Sequence, residues 1–90
     1  MPIAATIEEK LTAAFRPLQL EIEDQSHRHA GHAGARPGGE SHFKVFLVSQ
    51  AFEGMNRLAR QRAVYAALDE EMQGPIHMLS MTLMTPQEAA

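Results

Sequence analysis

Four of the five histidines in this 90-residue chain fall within one short stretch, SHRHAGHAGARPGGESHF, at residues 26–43: His27, His29, His32 and His42. Neutral imidazole is a borderline ligand that suits zinc, copper, iron and nickel. Spacings of two and three residues, on glycine-flanked backbone, let His27, His29 and His32 turn toward one ion. A closed structural zinc site takes four ligands and is usually rich in cysteine. The chain has no cysteine, and solvation accounts for the loop histidines equally well. The fifth histidine, His77, sits in IHMLSMTLM, on the side shared with Leu79, Met81 and Leu83. A histidine in such a place is more often a buried or edge residue than a ligand. Its position near the start of the segment nevertheless lets it face the end of the domain. A loop that folds over that end offers two nitrogens to one metal centre, with the remaining ligands supplied from outside.

The arginines form the second candidate group. Arg57, Arg60 and Arg62 stand in the first half of a helical segment whose end carries Asp69, Glu70 and Glu71. Both clusters oppose the helix dipole, which favours anions at its start and cations at its finish. A positive helix start can dock an acidic partner or a phosphate; an ordinary solvated face explains the same pattern and is favoured by pattern alone. The glycines of RPGGES have the wrong spacing for a phosphate-binding loop. Ser26, Ser41, Ser49 and Ser80 lack a nucleophile-elbow context, and thiolate nucleophiles are excluded with the cysteines. Hydrolytic chemistry has no support, and the expectation is a protein that is not an enzyme.

The elements that must position these residues follow from periodicity. TIEEKLTAAF (residues 6–15) reads as a helix, with Thr6 and Glu9 spaced as a capping box and Ile7, Leu11, Ala14 and Phe15 on one face. Pro17 ends it, because the residue before a proline is pushed out of helical geometry. LQLEIED alternates Leu18, Leu20 and Ile22 against Gln19, Glu21 and Glu23, a half-buried strand. HFKVFLVS is a second strand, dense in β-branched and aromatic residues. The intervening loop, residues 25–41, has a length usually reserved for function or disorder. FEGMN is a turn pivoting on Gly54. Asn56 caps the helix RLARQRAVYAALDEEM, with Leu58, Val64, Tyr65, Leu68 and Met72 as its apolar stripe, and Gly74–Pro75 stops it. IHMLSMTLM is a third strand, and residues 85–90 form a tail in which Thr85 before Pro86 starts a turn. The crossover from the second strand through the helix to the third makes those strands parallel and should be right-handed.

Ninety residues make one domain. With 44% hydrophobic and 21% charged residues the chain has the composition of a globular α+β fold rather than a disordered one. The formal charge of −3 becomes +2 when all five histidines are protonated, so histidine state sets its sign. A chain without a clearly basic balance has no general tendency to bind nucleic acid. No apolar run approaches the ~20 residues of a membrane span, and MPIAATIEEK does not read as a presequence. The expected compartment is the cytoplasm.

Three segments together, GGESHFKVFLVSQAFEG (38–54), RQRAVYAAL (60–68) and IHMLS (76–80), closely resemble BolA-like proteins. The first helix and LQLEIEDQS fit as well, so the resemblance spans nearly the whole chain. It implies one domain of helix–strand–strand–helix–strand order, a three-stranded sheet packed by helices and similar to a type II KH module. One departure stands out: the family's usual Arg-His-Arg triplet is Arg60-Gln61-Arg62, which removes any role for a middle histidine. The resemblance further implies a partner, a monothiol glutaredoxin of the CGFS type, with which BolA-like proteins share a 2Fe–2S cluster. The glutaredoxin cysteine and a glutathione thiol supply two ligands. The BolA-like chain supplies its third-strand histidine, matched by His77, and a loop cysteine or histidine. Here that second ligand is His32, whose glycine neighbours let it swing, or else His29. His27 and His42 are left as solvated or structural. Histidine in place of cysteine on one iron raises the reduction potential, as in Rieske-type centres, and makes binding sensitive to pH.

The leading expectation is therefore a monomer that forms a heterodimer with the glutaredoxin in iron–sulfur trafficking or iron-dependent regulation. The alternative is a KH-like nucleic-acid-binding transcriptional regulator acting on DNA through Arg57, Arg60 and Arg62. The −3 charge and the lack of a Gly-x-x-Gly clamp count against it. A third reading is a plain divalent-metal loop of His27, His29 and His32.

Overall fold

A computed structural model describes residues 2–25 and 42–90. Helix α1 (Ile3–Phe15) leads into strand β1 (Gln19–Asp24); β2 (His42–Val48) is followed by a 3₁₀ turn at Gln50–Phe52. Helix α2 (Arg57–Ala67), the short α3 (Asp69–Gln73), strand β3 (Met78–Met84) and a last turn of helix, α4 (Pro86–Ala89), complete the chain. The sheet runs in the order β1-β2-β3. β1 pairs antiparallel with β2, with Glu23 opposite Lys44 and Gln19 opposite Val48. β2 pairs parallel with β3, as the crossover requires, with His42 opposite Met78.

Strand alternation divides the sheet into two faces. Phe43, Val45 and Leu47 of β2 and Leu79 of β3 are buried, with Leu20, Ile22, Met81 and Leu83 packed alongside. Against them lie Ile7 and Leu11 of α1, Val64 of α2, and Leu68, all fully buried. Each such side chain contributes roughly 1.5–3 kcal/mol of hydrophobic stabilisation. The opposite face carries His42, Lys44, Glu21, Ser80 and Thr82, most of them exposed.

Several local expectations are corrected. The capping box of Thr6 and Glu9 does not form: α1 starts at Ile3, with Pro2 (φ −58°) at its cap, and the Thr6 hydroxyl donates to the Pro2 carbonyl (3.3 Å). Ile3 extends the Ile7–Leu11–Phe15 stripe by one turn and packs on the core, which outweighs the side-chain cap. Ala14 is exposed. Leu18 precedes β1 rather than joining it and is 67% exposed. The long second helix breaks at Leu68 (φ −107°), which is drawn into the core. Asp69, Glu70 and Glu71 consequently occupy the first turn of α3, where free backbone N–H groups favour acids. They do not oppose a dipole there. Glu71 is buried and takes two hydrogen bonds from Lys10 Nζ, at 2.9 and 2.8 Å.

The apolar stripe of α2 is also displaced. Leu58 and Tyr65 are 53% and 41% exposed. The buried side is set by Val64 and by Arg60 and Ala67, so residues seven apart at 58 and 65 fall on the far side. Ile76 and His77 reverse their expected sides, because β3 begins only at Met78: Ile76 is buried and His77 exposed. Residues 85–90 are not a loose tail. Thr85 is buried, its side chain accepts from the Glu88 N–H, and Glu88 answers to the Thr85 N–H, a complete capping box at α4.

Candidate functional site

Strands β2 and β3 are parallel, so their first residues lie at one end of the sheet, together with the last residues of β1. His42 opens β2 and His77 immediately precedes β3. Their rings are nearly parallel, 19° apart, with centroids separated by 6.1 Å. His77 is exposed and His42 half-buried. The same end holds both roots of the histidine-rich segment. Gln25 N–H donates to the His42 carbonyl at 2.8 Å, closing the base of the segment against the site. The described ends of this segment, Gln25 and His42, lie at the same end of the sheet as His77. His27, His29 and His32 themselves lie outside the described residues, as does most of the loop at 25–41.

His42, read from the sequence as solvated or structural, is the described imidazole beside His77. The signal was available in the strand reading: a histidine at the first position of β2 is adjacent to whatever opens the parallel neighbour. Among the described residues, no three histidine, cysteine or carboxylate side chains converge as a metal cage. Two imidazoles alone leave coordination positions open, as in sites whose other ligands come from a second molecule.

The arginines are not brought to this end. Asn56 caps α2 by accepting from the Ala59 N–H at 2.8 Å, which places Arg57 and Arg60 beside the free edge of β3. There a groove of about 550 Å³ is lined by Met55, Arg57, Arg60, Gln61, Met81–Met84 and Glu88. It lies toward the opposite end of β3 from His77. Arg60 is committed within the fold: its guanidinium donates to the carbonyls of Met55 (2.9 Å) and Leu83 (3.1 Å) and to both oxygens of Glu88 (2.6 and 3.1 Å). The plane sits 5.9 Å from the Phe52 ring centre. Glu88 is held down to about 2 from its ordinary 4.5, first by the Arg60 hydrogen bonds and then by the Thr85 N–H. Arg57 and Arg62 are exposed, and Arg62 does not line the groove.

None of the serines among the described residues sits in a nucleophilic setting. Ser49 is buried, donates to the Phe15 carbonyl at 2.6 Å and accepts from the Ala51 N–H at 3.0 Å. It fastens the end of α1 to the end of β2. No helix among the described residues is long and apolar enough to cross a membrane.

Comparison with known proteins gives a consistent result. Residues 11–88 match the family model described as BolA-like protein. The chain is 47% identical over 88 residues to the chloroplastic protein BOLA1 of Arabidopsis thaliana, covering 96% of this chain and 55% of that protein. It is 47% identical over 88 residues to the DNA-binding transcriptional regulator BolA of Escherichia coli, covering 98% and 80% respectively. The solved structure of BolA1 from Arabidopsis thaliana superposes with a TM-score of 0.87 at 46% identity, over 97% of this chain and 95% of that one. The chain thus spans little more than half of the chloroplastic relative and most of the bacterial one.

Proposed function

The chain belongs to the BolA-like family, and from that premise we propose that it is a non-enzymatic partner of a monothiol glutaredoxin, sharing a 2Fe–2S cluster with it. The observation that carries this reading is the placement of exposed His77 at the sheet end from which the histidine-rich segment departs and to which it returns. His77 would supply one imidazole nitrogen. His32 or His29 would supply the second, and the partner's cysteine and a glutathione thiol would complete the set. When bound, such a cluster supplies one-electron redox capacity and exchangeable iron. The chain's own part is to hold His77 just before the start of β3, outside the core, where a second protein can reach it.

An exposed imidazole just before β3 is open to a second molecule. A cage closed within one chain would hold its metal alone, whereas two imidazoles leave the thiolate positions of a cluster to the second molecule. The reading places the protein in iron–sulfur trafficking or iron-dependent regulation, in the cytoplasm. Mixing the chain anaerobically with a monothiol glutaredoxin, glutathione, iron and sulfide tests it. The expected product is a coloured one-to-one heterodimer; a colourless mixture that elutes as separate monomers contradicts it.

A second reading has its own support in exposed Arg57 and Arg62 and in the described role of the Escherichia coli relative. Under it the chain regulates transcription by binding DNA. Phosphate contacts through these arginines predict affinity that falls steeply with salt. Absence of binding at low salt removes this reading.

A further inference from the structure

We propose that His42 and His77 together form a two-imidazole chelate for a divalent transition-metal ion, such as Zn2+, that fills without any partner protein. The observation is the pair itself, with ring centroids 6.1 Å apart and planes 19° from parallel. A zinc–nitrogen bond is about 2.0–2.1 Å and a ring nitrogen lies about 1.1 Å from its ring centre, so two imidazoles on one ion have centroids about 5.2 Å apart at the tetrahedral angle and at most about 6.4 Å apart when collinear. The observed separation of 6.1 Å lies about 0.9 Å beyond the tetrahedral value, a gap that rotation of the exposed His77 side chain closes.

His42 is carried by backbone that the sheet fixes, and His77 stands one residue before the first paired residue of β3. His42 is paired with Met78, the residue after His77, in the parallel ladder. The His42 carbonyl is further held by the Gln25 N–H. Exposure of His77 and partial exposure of His42 give an ion access. Imidazole nitrogens match the borderline ions zinc, copper and nickel, and two of them leave open positions for water or an incoming thiolate. Because His77 is also the ligand proposed above for the shared cluster, the chelate deepens that reading: a divalent ion on the pair and a cluster compete for the same nitrogen.

The experiment removes the other imidazoles first. In the full chain carrying His27→Gln, His29→Gln and His32→Gln, His42 and His77 are the remaining histidines. This protein is titrated with Zn2+ alone, and the imidazole 15N resonances are followed by NMR. The expected result is saturable one-to-one binding that shifts both His42 and His77. Losing an outer-shell partner of a metal ligand already costs about 10–100-fold in affinity. Adding His42→Gln or His77→Gln should therefore weaken binding at least about 30-fold. Absence of saturable binding, or binding unchanged by His42→Gln, overturns the proposal. Should His42→Gln fail to fold by circular dichroism, His42→Asn takes its place, since the backbone contact to Gln25 needs no side chain. The partner-dependent reading is scored separately on the unsubstituted chain with glutaredoxin. A coloured complex without zinc binding sinks the chelate alone; zinc binding without a coloured complex sinks the shared cluster alone.

Discussion

Replacing Ser49 by alanine is the substitution whose cost the structure determines most fully. The hydroxyl is 1% exposed and makes two hydrogen bonds, to the Phe15 carbonyl at 2.6 Å and from the Ala51 N–H at 3.0 Å. Its own backbone N–H reaches Met84 at 2.9 Å and survives the change. Each lost bond is worth about 0.5–1.5 kcal/mol net, and a partner left buried without a replacement costs about 1–3 kcal/mol. Phe15, Ser49 and Ala51 border a pocket that water can enter, so the stranded groups are rehydrated and the expected total, from two lost bonds, is about 2 kcal/mol. For a domain of this size, 1 kcal/mol moves the melting temperature by roughly 4–8 °C, giving a fall on the order of 8–16 °C. Urea unfolding should show a lower midpoint with an unchanged slope, the sign of lost stability without a change in compactness. Ser49 follows the last residue of β2 and His42 is the first, a separation of about 20 Å at ~3.3 Å per residue. Metal or cluster binding below the transition should therefore be unaltered. A loss under about 0.5 kcal/mol, the size of an ordinary surface change, would refute the view that this hydroxyl fastens α1 to the sheet.

Other substitutions probe the remaining contacts. Glu88 is depressed to about 2 in the folded chain against 4.5 ordinarily, so its contribution is complete above about pH 4.5 and disappears as pH falls toward 2. Glu88→Gln should flatten that part of a plot of urea midpoint against pH; parallel curves for the two proteins would contradict it. Lys10→Met strands the buried Glu71 carboxylate and should destabilise, while adding Glu71→Leu should restore part of the loss. Strict additivity of the two changes, measured in a double-mutant cycle, would show that the pair is not coupled. Arg60→Ala should lower the melting temperature because its guanidinium ties Met55, Leu83 and Glu88 together. Arg57→Ala and Arg62→Ala should leave it in place. If DNA binding occurs, each of those two exposed changes should reduce the slope of log affinity against log salt by about 0.9, and equal slopes would exclude them from the contact.

Much of the architecture was readable where hydrophobic period and topology agree. The alternation of Leu20 and Ile22 against Gln19 and Glu21, the cap at Asn56 and the Gly54 turn, at φ +80°, all appear where periodicity and turn chemistry place them. Parallel pairing of β2 with β3 followed from one crossover. What escaped was set by tertiary contacts. Val64, Leu68 and the buried part of Arg60 choose which side of α2 faces the sheet, so Leu58 and Tyr65, apolar in sequence, remain outside. The break at Leu68 cannot be seen in a helical pattern that continues through it. Arg60 looked like a docking residue because sequence shows charge and not the carbonyls that charge will meet. The partnership of His42 with His77 needed strand register, which brings together residues 35 positions apart. The capping box at Thr85 and Glu88 was spelled out in TPQE, but brevity made it read as a turn.

The role assigned to His77 is tested most directly by the visible absorption spectrum of the complex reconstituted with a monothiol glutaredoxin, glutathione, iron and sulfide. His77→Ala removes an exposed side chain, so the folded domain should keep its circular dichroism and its melting temperature. Its complex should lose the absorption bands of the unsubstituted one or shift them. A spectrum identical to that of the unsubstituted complex, at equal cluster content, would show that the imidazole preceding β3 does not ligate.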